Sequence, residues 1–153
     1  MRALENRVPP PLVAVLISAG MWALARWWPL ARFDLPAPAL LGFAVASLGG
    51  VVSAAGAREF KRAKTTVNPL HPERTSAMVA SGVYRHTRNP MYVGVALVLF
   101  GCFLAFGALS AVIGLPAFVW YITRFQIQPE ERVLAAKFGR EYTEYQSRVR
   151  RWI

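Results

Sequence analysis

The sequence predicts an all-α integral membrane protein with about four transmembrane helices and an amphipathic C-terminal helix. Three observations carry this reading. Hydrophobic residues make up 55% of the 153 residues and charged residues only 17%, against ~25% charged in soluble domains. The charges are clumped: none falls in 8–25, 35–57 or 90–123, and uncharged apolar stretches of ~18 residues or more are what a ~30 Å hydrocarbon core requires. The net charge of +10 sits in the flanks, since seven of the 18 Lys and Arg lie in 58–90 and seven more in 124–153.

The first span covers about 10–28. Pro9-Pro10-Pro11 sets its start, because proline is tolerated in a first helical turn, and Trp22, Trp27 and Trp28 gather at its far end as interfacial aromatics do. Arg2, Arg7 and Ala23-Leu24-Ala25 loosely imitate a cleavable signal peptide; the segment is read as a retained first helix. A short link, Pro29 to Pro38, leads to a second span at about 39–57, where Gly42, Ala46, Gly49, Gly50 and Ser53 let another helix approach closely. The uncharged stretch 90–123 would make ~51 Å of helix, too long for one crossing. It divides into spans at about 90–106 and 109–127 around a turn at Phe106-Gly107-Ala108, with Arg124 snorkelling to the interface and Pro116 bending the fourth span. Four spans leave both termini on one side. Basic residues at the N-terminus (Arg2, Arg7), in the 58–89 loop and in the tail assign that side to the cytoplasm. The whole chain, 1–153, reads as a single domain.

Residues 129–148 form the predicted C-terminal helix. Pro129-Glu130-Glu131 marks its start, with proline in the first turn and acids at the positive end of the dipole. Leu134, Phe138 and Tyr142 recur every four residues and Tyr145 and Val149 extend the stripe, while Gly139 weakens the middle. The basic residues come without a nucleic-acid module or a base-stacking motif, so membrane lipids, and not nucleic acid, are the expected partners. Cys102 is the lone cysteine and lies in an apolar span, which gives neither a disulfide framework nor a metal site.

Two polar clusters remain. One is Ser81-Gly82-Val83-Tyr84-Arg85-His86-Thr87-Arg88-Asn89-Pro90-Met91-Tyr92-Val93-Gly94, just before the third span; the other is Glu130-Glu131 with Phe138-Gly139-Arg140-Glu141-Tyr142, after the fourth. A tight hairpin between them brings both to the same face. An Arg, Asn and Tyr set beside paired carboxylates at a lipid boundary suits a zwitterionic cofactor next to a greasy substrate.

At these residues a specific resemblance emerges. Arg88-Asn89-Pro90-Met91-Tyr92-x-Gly94, preceded by Gly82-x-Tyr84, resembles the R-[HN]-P-x-Y-x-G signature of the isoprenylcysteine carboxyl methyltransferase-like and phospholipid methyltransferase proteins. Glu130-Glu131-x-x-Leu134-x-x-x-Phe138-Gly139-x-x-Tyr142-x-x-Tyr145 is similar to the closing pattern of the same family, and the match runs over about 64–151. The resemblance implies S-adenosylmethionine bound on the cytoplasmic side and a lipophilic acceptor, a small molecule or lipid, entering from the bilayer. It implies a cofactor pocket lined by Tyr84, Arg88, Asn89, Pro90, Tyr92, Glu130 and Tyr142, with Glu131 nearest the reacting centre. Family members often carry an arginine a few residues before the acidic pair. Gln126 stands there in this chain and Arg124 is the nearest candidate, so Glu131 and Arg124 are the expected catalytic residues. Methyl transfer from a sulfonium is an in-line displacement that asks for positioning and desolvation, which the absence of a Ser/His/Asp set or a P-loop does not contradict.

Plainer roles compete for the same residues. Arg88 and Arg124 would serve as headgroup anchors, Glu130 and Glu131 as dipole caps, and Tyr142 and Tyr145 as packing. His71 and His86 read as exposed loop residues, and Arg140 and Arg148 to Arg151 as a lipid-facing basic tail. Two other functions share the pattern: a nicotinamide-nucleotide-dependent membrane reductase of related architecture, and a non-catalytic membrane protein that keeps the pocket for a ligand or partner.

Overall fold

The computed structural model describes Glu5, residues 7–64 and residues 77–153; the expectations for Arg2 and His71 lie outside them, as does the middle of the 58–89 loop. Among the described residues the regular structure is helical, apart from one isolated antiparallel bridge between Arg32 and Ala108. Helix α1 spans Pro10–Trp27 and α2 spans Pro38–Arg62, and these two are long and apolar enough to cross a membrane. Their exposed faces carry Leu16, Trp27, Leu40, Phe43 and Val51, apolar where a soluble helix would be charged. Helix α2 runs on to Arg62 instead of ending near residue 57, and Lys61 and Arg62 in its last turn complement the negative end of its dipole.

Helix α3, Pro90–Phe106, lies against α2 along a seam of glycines seven residues apart. Gly42 faces Gly101, Gly49 faces Gly94, and Gly56 faces Pro90 and Met91. A Cβ placed on Gly42 would stand 2.6 Å from the Gly101 carbonyl oxygen, so the backbones touch and only glycine fits. The small residues of the second span thus have their partner within the chain. Ser53 Oγ closes the near end by donating to the Met91 carbonyl at 3.0 Å, which fixes the first turn of α3 beside α2.

Gly107, at φ 60°, ends α3 where the turn was expected. The link 29–38 packs onto that turn, with the Phe33 amide donating to Gly107 O at 3.1 Å and the Leu109 amide to Ala31 O at 2.8 Å. Beyond it, the regular fourth crossing expected over 109–127 is not formed. Leu109–Ile113 is a 3-10 turn, Gly114–Ile122 is helix α4, and Thr123–Ile127 is a π turn. Pro116 falls in the first turn of α4, where proline is tolerated.

The π turn runs without a break into α5, Gln128–Phe138, because Thr123, Ile127 and Gln128 are all right-handed helical. Pro129 accounts for the widening. A proline inside a helix clashes with the carbonyl four residues back, here Phe125, and an i→i+5 turn relieves the clash. Glu130 and Glu131 therefore lie within a continuous helical rod and cap no free helix end. The single helix expected over 129–148 is two: Gly139, at φ 54°, separates α5 from α6, Arg140–Arg148. Tyr142 and Tyr145 of α6 are buried with Val149 and pack against Met78, Leu134 and Phe138.

Candidate active site

The α2–α3 seam and the rod α4–α5 bring the two polar clusters together around one cavity of about 300 Å³, the lower end of the usual range for small-molecule sites. Tyr84, Arg88, Asn89 and Tyr92 line it from the first cluster, and Glu130, Glu131 and Tyr142 from the second. Pro10, Pro11, Ser53, Met91 and Val95 contribute a largely apolar side from α1, α2 and α3. Pro90 is the one expected cofactor residue outside the lining: it is fully buried as the first residue of α3, under Gly56.

The turn that presents Tyr84 is held from α2. Ser81 Oγ donates to Glu59 Oε2 at 2.5 Å, and Gly82 takes φ 56° directly against the Glu59 carboxylate. The ring of Tyr84 packs edge-on to Phe60, centroids 5.5 Å apart, and its carbonyl accepts from the Tyr145 hydroxyl at 2.7 Å. Burial pushes the Tyr84 and Tyr142 phenols well above their ordinary range and that of Tyr145 up to about 12, so all three act as neutral hydroxyls.

The adjacent carboxylates are in opposite states. Glu130 accepts a 2.8 Å hydrogen bond from the Tyr92 hydroxyl. Burial raises its carboxyl to about 7, with the Tyr92 hydrogen bond pulling down and the Glu131 charge pushing up. Burial acts upward on Glu131 too, but hydrogen bonds from Arg151 and then Arg88 outweigh it and hold the group below the usual carboxylate range. Arg88 Nη2 reaches Glu131 Oε1 at 2.8 Å, while Arg151 donates from Nε to Oε1 at 3.0 Å and from Nη2 to Oε2 at 2.7 Å. Two guanidiniums on one carboxylate leave a net positive group at Glu131, next to a carboxyl poised near neutrality at Glu130.

Arg124 is not brought to this cluster. Its Nη1 pairs with Glu5 Oε1 at 3.1 Å, and Arg132 pairs with the other Glu5 oxygen. Arg124 is expected beside Glu131 as the arginine nearest the position that the family resemblance implies; the π turn Thr123–Ile127, which holds Arg124, changes the helical phase before Glu131. Gln126, in that turn, is fully buried and donates to Val8 O at 2.8 Å, with Oε1 unpartnered. Arg151 is the residue that sequence reading missed, because a basic tail after the last helix looks like a headgroup anchor. Its backbone carbonyl accepts from Asn89 Nδ2 at 2.9 Å and Thr87 Oγ1 at 3.3 Å, and the Arg88 amide donates to Arg150 O at 2.9 Å. His86 is exposed, as expected of a loop residue.

The donor set suits an amino-acid-bearing cation. An acid near neutrality, neutral tyrosines and the Arg88 guanidinium can hold a sulfonium or ammonium at one end and a carboxylate at the other. Comparison with known proteins agrees with this chemistry. Residues 38–141 match the phospholipid methyltransferase family, so this chain belongs to that family and is an S-adenosylmethionine-dependent methyltransferase. An uncharacterized protein of Haemophilus influenzae is 41% identical over 63 residues, which is 100% of that protein and 41% of this chain. Membership in a methyltransferase family favours this chemistry over that of a nicotinamide-dependent reductase.

Proposed function

We propose that this enzyme transfers a methyl group from S-adenosylmethionine to a lipophilic acceptor at the cytoplasmic membrane face, in the manner of the isoprenylcysteine carboxyl methyltransferase-like proteins. One observation carries the reading: polar residues from two clusters some forty residues apart line one cavity whose remaining lining is mostly apolar and includes residues of both membrane-type helices. A cofactor with charged groups fits the polar wall, and a hydrophobic acceptor reaches it along Pro10, Pro11, Met91 and Val95.

The membrane arrangement proposed with it has four crossings, at about 10–28, 39–57, 90–106 and 109–127, in a single domain with both termini in the cytoplasm. The short helix α3 and the 3-10, α4 and π run would make the third and fourth. The concentration of Lys and Arg in 58–90 and 124–153 supports this orientation.

Bound S-adenosylmethionine supplies an electrophilic methyl on a sulfonium. Tyr84, Arg88, Asn89, Tyr92, Glu130 and Tyr142 hold the cofactor, and Pro90 sets the turn that presents Arg88 and Asn89. Glu130, deprotonated, offers an anion to a cationic ligand; Arg88 offers its positive charge to a carboxylate. Glu131 orients the acceptor, with Arg88 and Arg151 in the part expected of Arg124. Apolar walls keep water from the reacting centre, where an amine, thiolate or carboxylate acceptor is nucleophilic once deprotonated. Incubating the purified enzyme with methyl-labelled cofactor and a lipid extract, then identifying the labelled lipid, tests the reading. Label in one lipid-soluble species supports it, and label confined to water-soluble species contradicts it.

A further inference from the structure

We infer that Arg151 is a positioning residue of the methyl transfer, its guanidinium forking onto both oxygens of Glu131 and fixing that carboxylate against the cavity. This rests on the reading that Glu131 faces the acceptor. Glu131 and Arg88 line the cavity and Arg151 does not, and the Arg151 guanidinium bonds to Glu131, so its side chain acts on the reaction through that carboxylate.

The geometry separates the two arginines. Arg88 gives Glu131 one bond, from Nη2 to Oε1 at 2.8 Å, and spends Nη1 on the carbonyls of Gln146 at 3.0 Å and Val149 at 2.9 Å. Arg151 gives two, at 3.0 and 2.7 Å, one to each oxygen. A carboxylate held by a single bond rotates about its terminal torsion; one held by a fork does not. The segment bearing Arg151 is itself pinned on both sides. Thr87, Arg88 and Asn89 bond to the carbonyls of Arg150 and Arg151, and Trp152 Nε1 donates to Thr123 Oγ1 at 3.1 Å. Arg88 thus contacts the carboxylate and the backbone leading to its second partner, and the cofactor loop, the acidic pair and the tail form one hydrogen-bonded unit. Lysine at 151 would supply a point charge but not the planar fork.

The test is a double-mutant cycle on the full chain in detergent. Methyl transfer into a lipid extract is measured alongside calorimetric titration with S-adenosylhomocysteine. Arg151→Met and Glu131→Gln are each expected to lower turnover at least about tenfold while leaving S-adenosylhomocysteine affinity within about twofold, and the double variant to be no slower than Glu131→Gln alone. Independent, multiplying losses overturn the inference, as does Arg151→Met at the parental rate. Should Arg151→Met not fold, Arg151→Lys carries the test, with a loss of at least about fivefold and unchanged affinity expected; parental turnover in that variant overturns the inference equally. Glu131→Gln at the parental rate removes the reading beneath it as well, whereas loss in Glu131→Gln without loss in either Arg151 variant removes only the part assigned to Arg151.

Discussion

The Tyr92 hydroxyl at the start of α3 donates a 2.8 Å hydrogen bond to Glu130 on α5, closing a loop of 38 residues at the mouth of the helical hairpin. That bond is one of several that join the two polar clusters, and it pulls the Glu130 carboxyl downward against the larger upward effect of burial. In Tyr92→Phe the Glu130 carboxyl loses a donor that favours its charged form, so its titration should move upward and S-adenosylmethionine affinity at neutral pH should fall several-fold. Calorimetry at two pH values checks this. Affinity equal to that of the parent at both would show that the bond does not matter to the cofactor.

Glu130 also makes stability depend on pH in a direction opposite to most carboxylates. Its folded-state value, about 7, lies above the ordinary 4.5, so between these values the folded protein holds more protons than the unfolded one. Stability is therefore expected to fall as pH rises from about 4.5 through about 7 and then to level off. Cofactor affinity should rise over the upper part of the same window, as the carboxylate that faces the cation forms. Thermal unfolding and titration across pH, repeated on Glu130→Gln, check both trends; the variant should lose this contribution to each.

The glycine seam between α2 and α3 leaves no room for a methyl group at Gly42. Gly42→Ala is expected to destabilise the folded protein by about 1–3 kcal/mol, the usual cost of overpacking a tight interface. Gly20→Ala, where nothing lies within 4 Å, should be neutral or slightly stabilising. Thermal unfolding in detergent compares the two, and equal midpoints would count against the seam.

Topology gives an independent check. The proposed arrangement puts both termini in the cytoplasm, so cysteines introduced near residue 70 and near residue 148 should react with an impermeant maleimide only when the cytoplasmic side is exposed. Labelling of either from outside in sealed cells would reverse the arrangement.

Much of this was legible in the sequence because it depends on charge and spacing. Uncharged runs mark α1, α2 and α3; Gly107 marks the turn; and motif residues from Tyr84 to Tyr142 converge because a hairpin must return its ends to one side. What escaped depends on backbone phase and on long-range partners. Pro129 forces a wide turn before α5 instead of starting a new helix, and that rotation carries Arg124 away to Glu5. The break at Gly139 requires a positive φ that its helical flanks do not reveal. Arg151 bonds Glu131 directly from 20 positions along the chain while its backbone carbonyl is held by Thr87 and Asn89, 64 and 62 positions away, which no local pattern encodes.

Calorimetric titration of the purified protein tests most directly that the cavity holds the cofactor. We expect S-adenosylmethionine and S-adenosylhomocysteine to bind and NADPH not to, with Tyr92→Ala and Glu130→Ala each weakening S-adenosylmethionine binding at least about tenfold while the protein stays folded. S-adenosylmethionine binding as tightly to both variants as to the parent would contradict the assignment and place the pocket elsewhere.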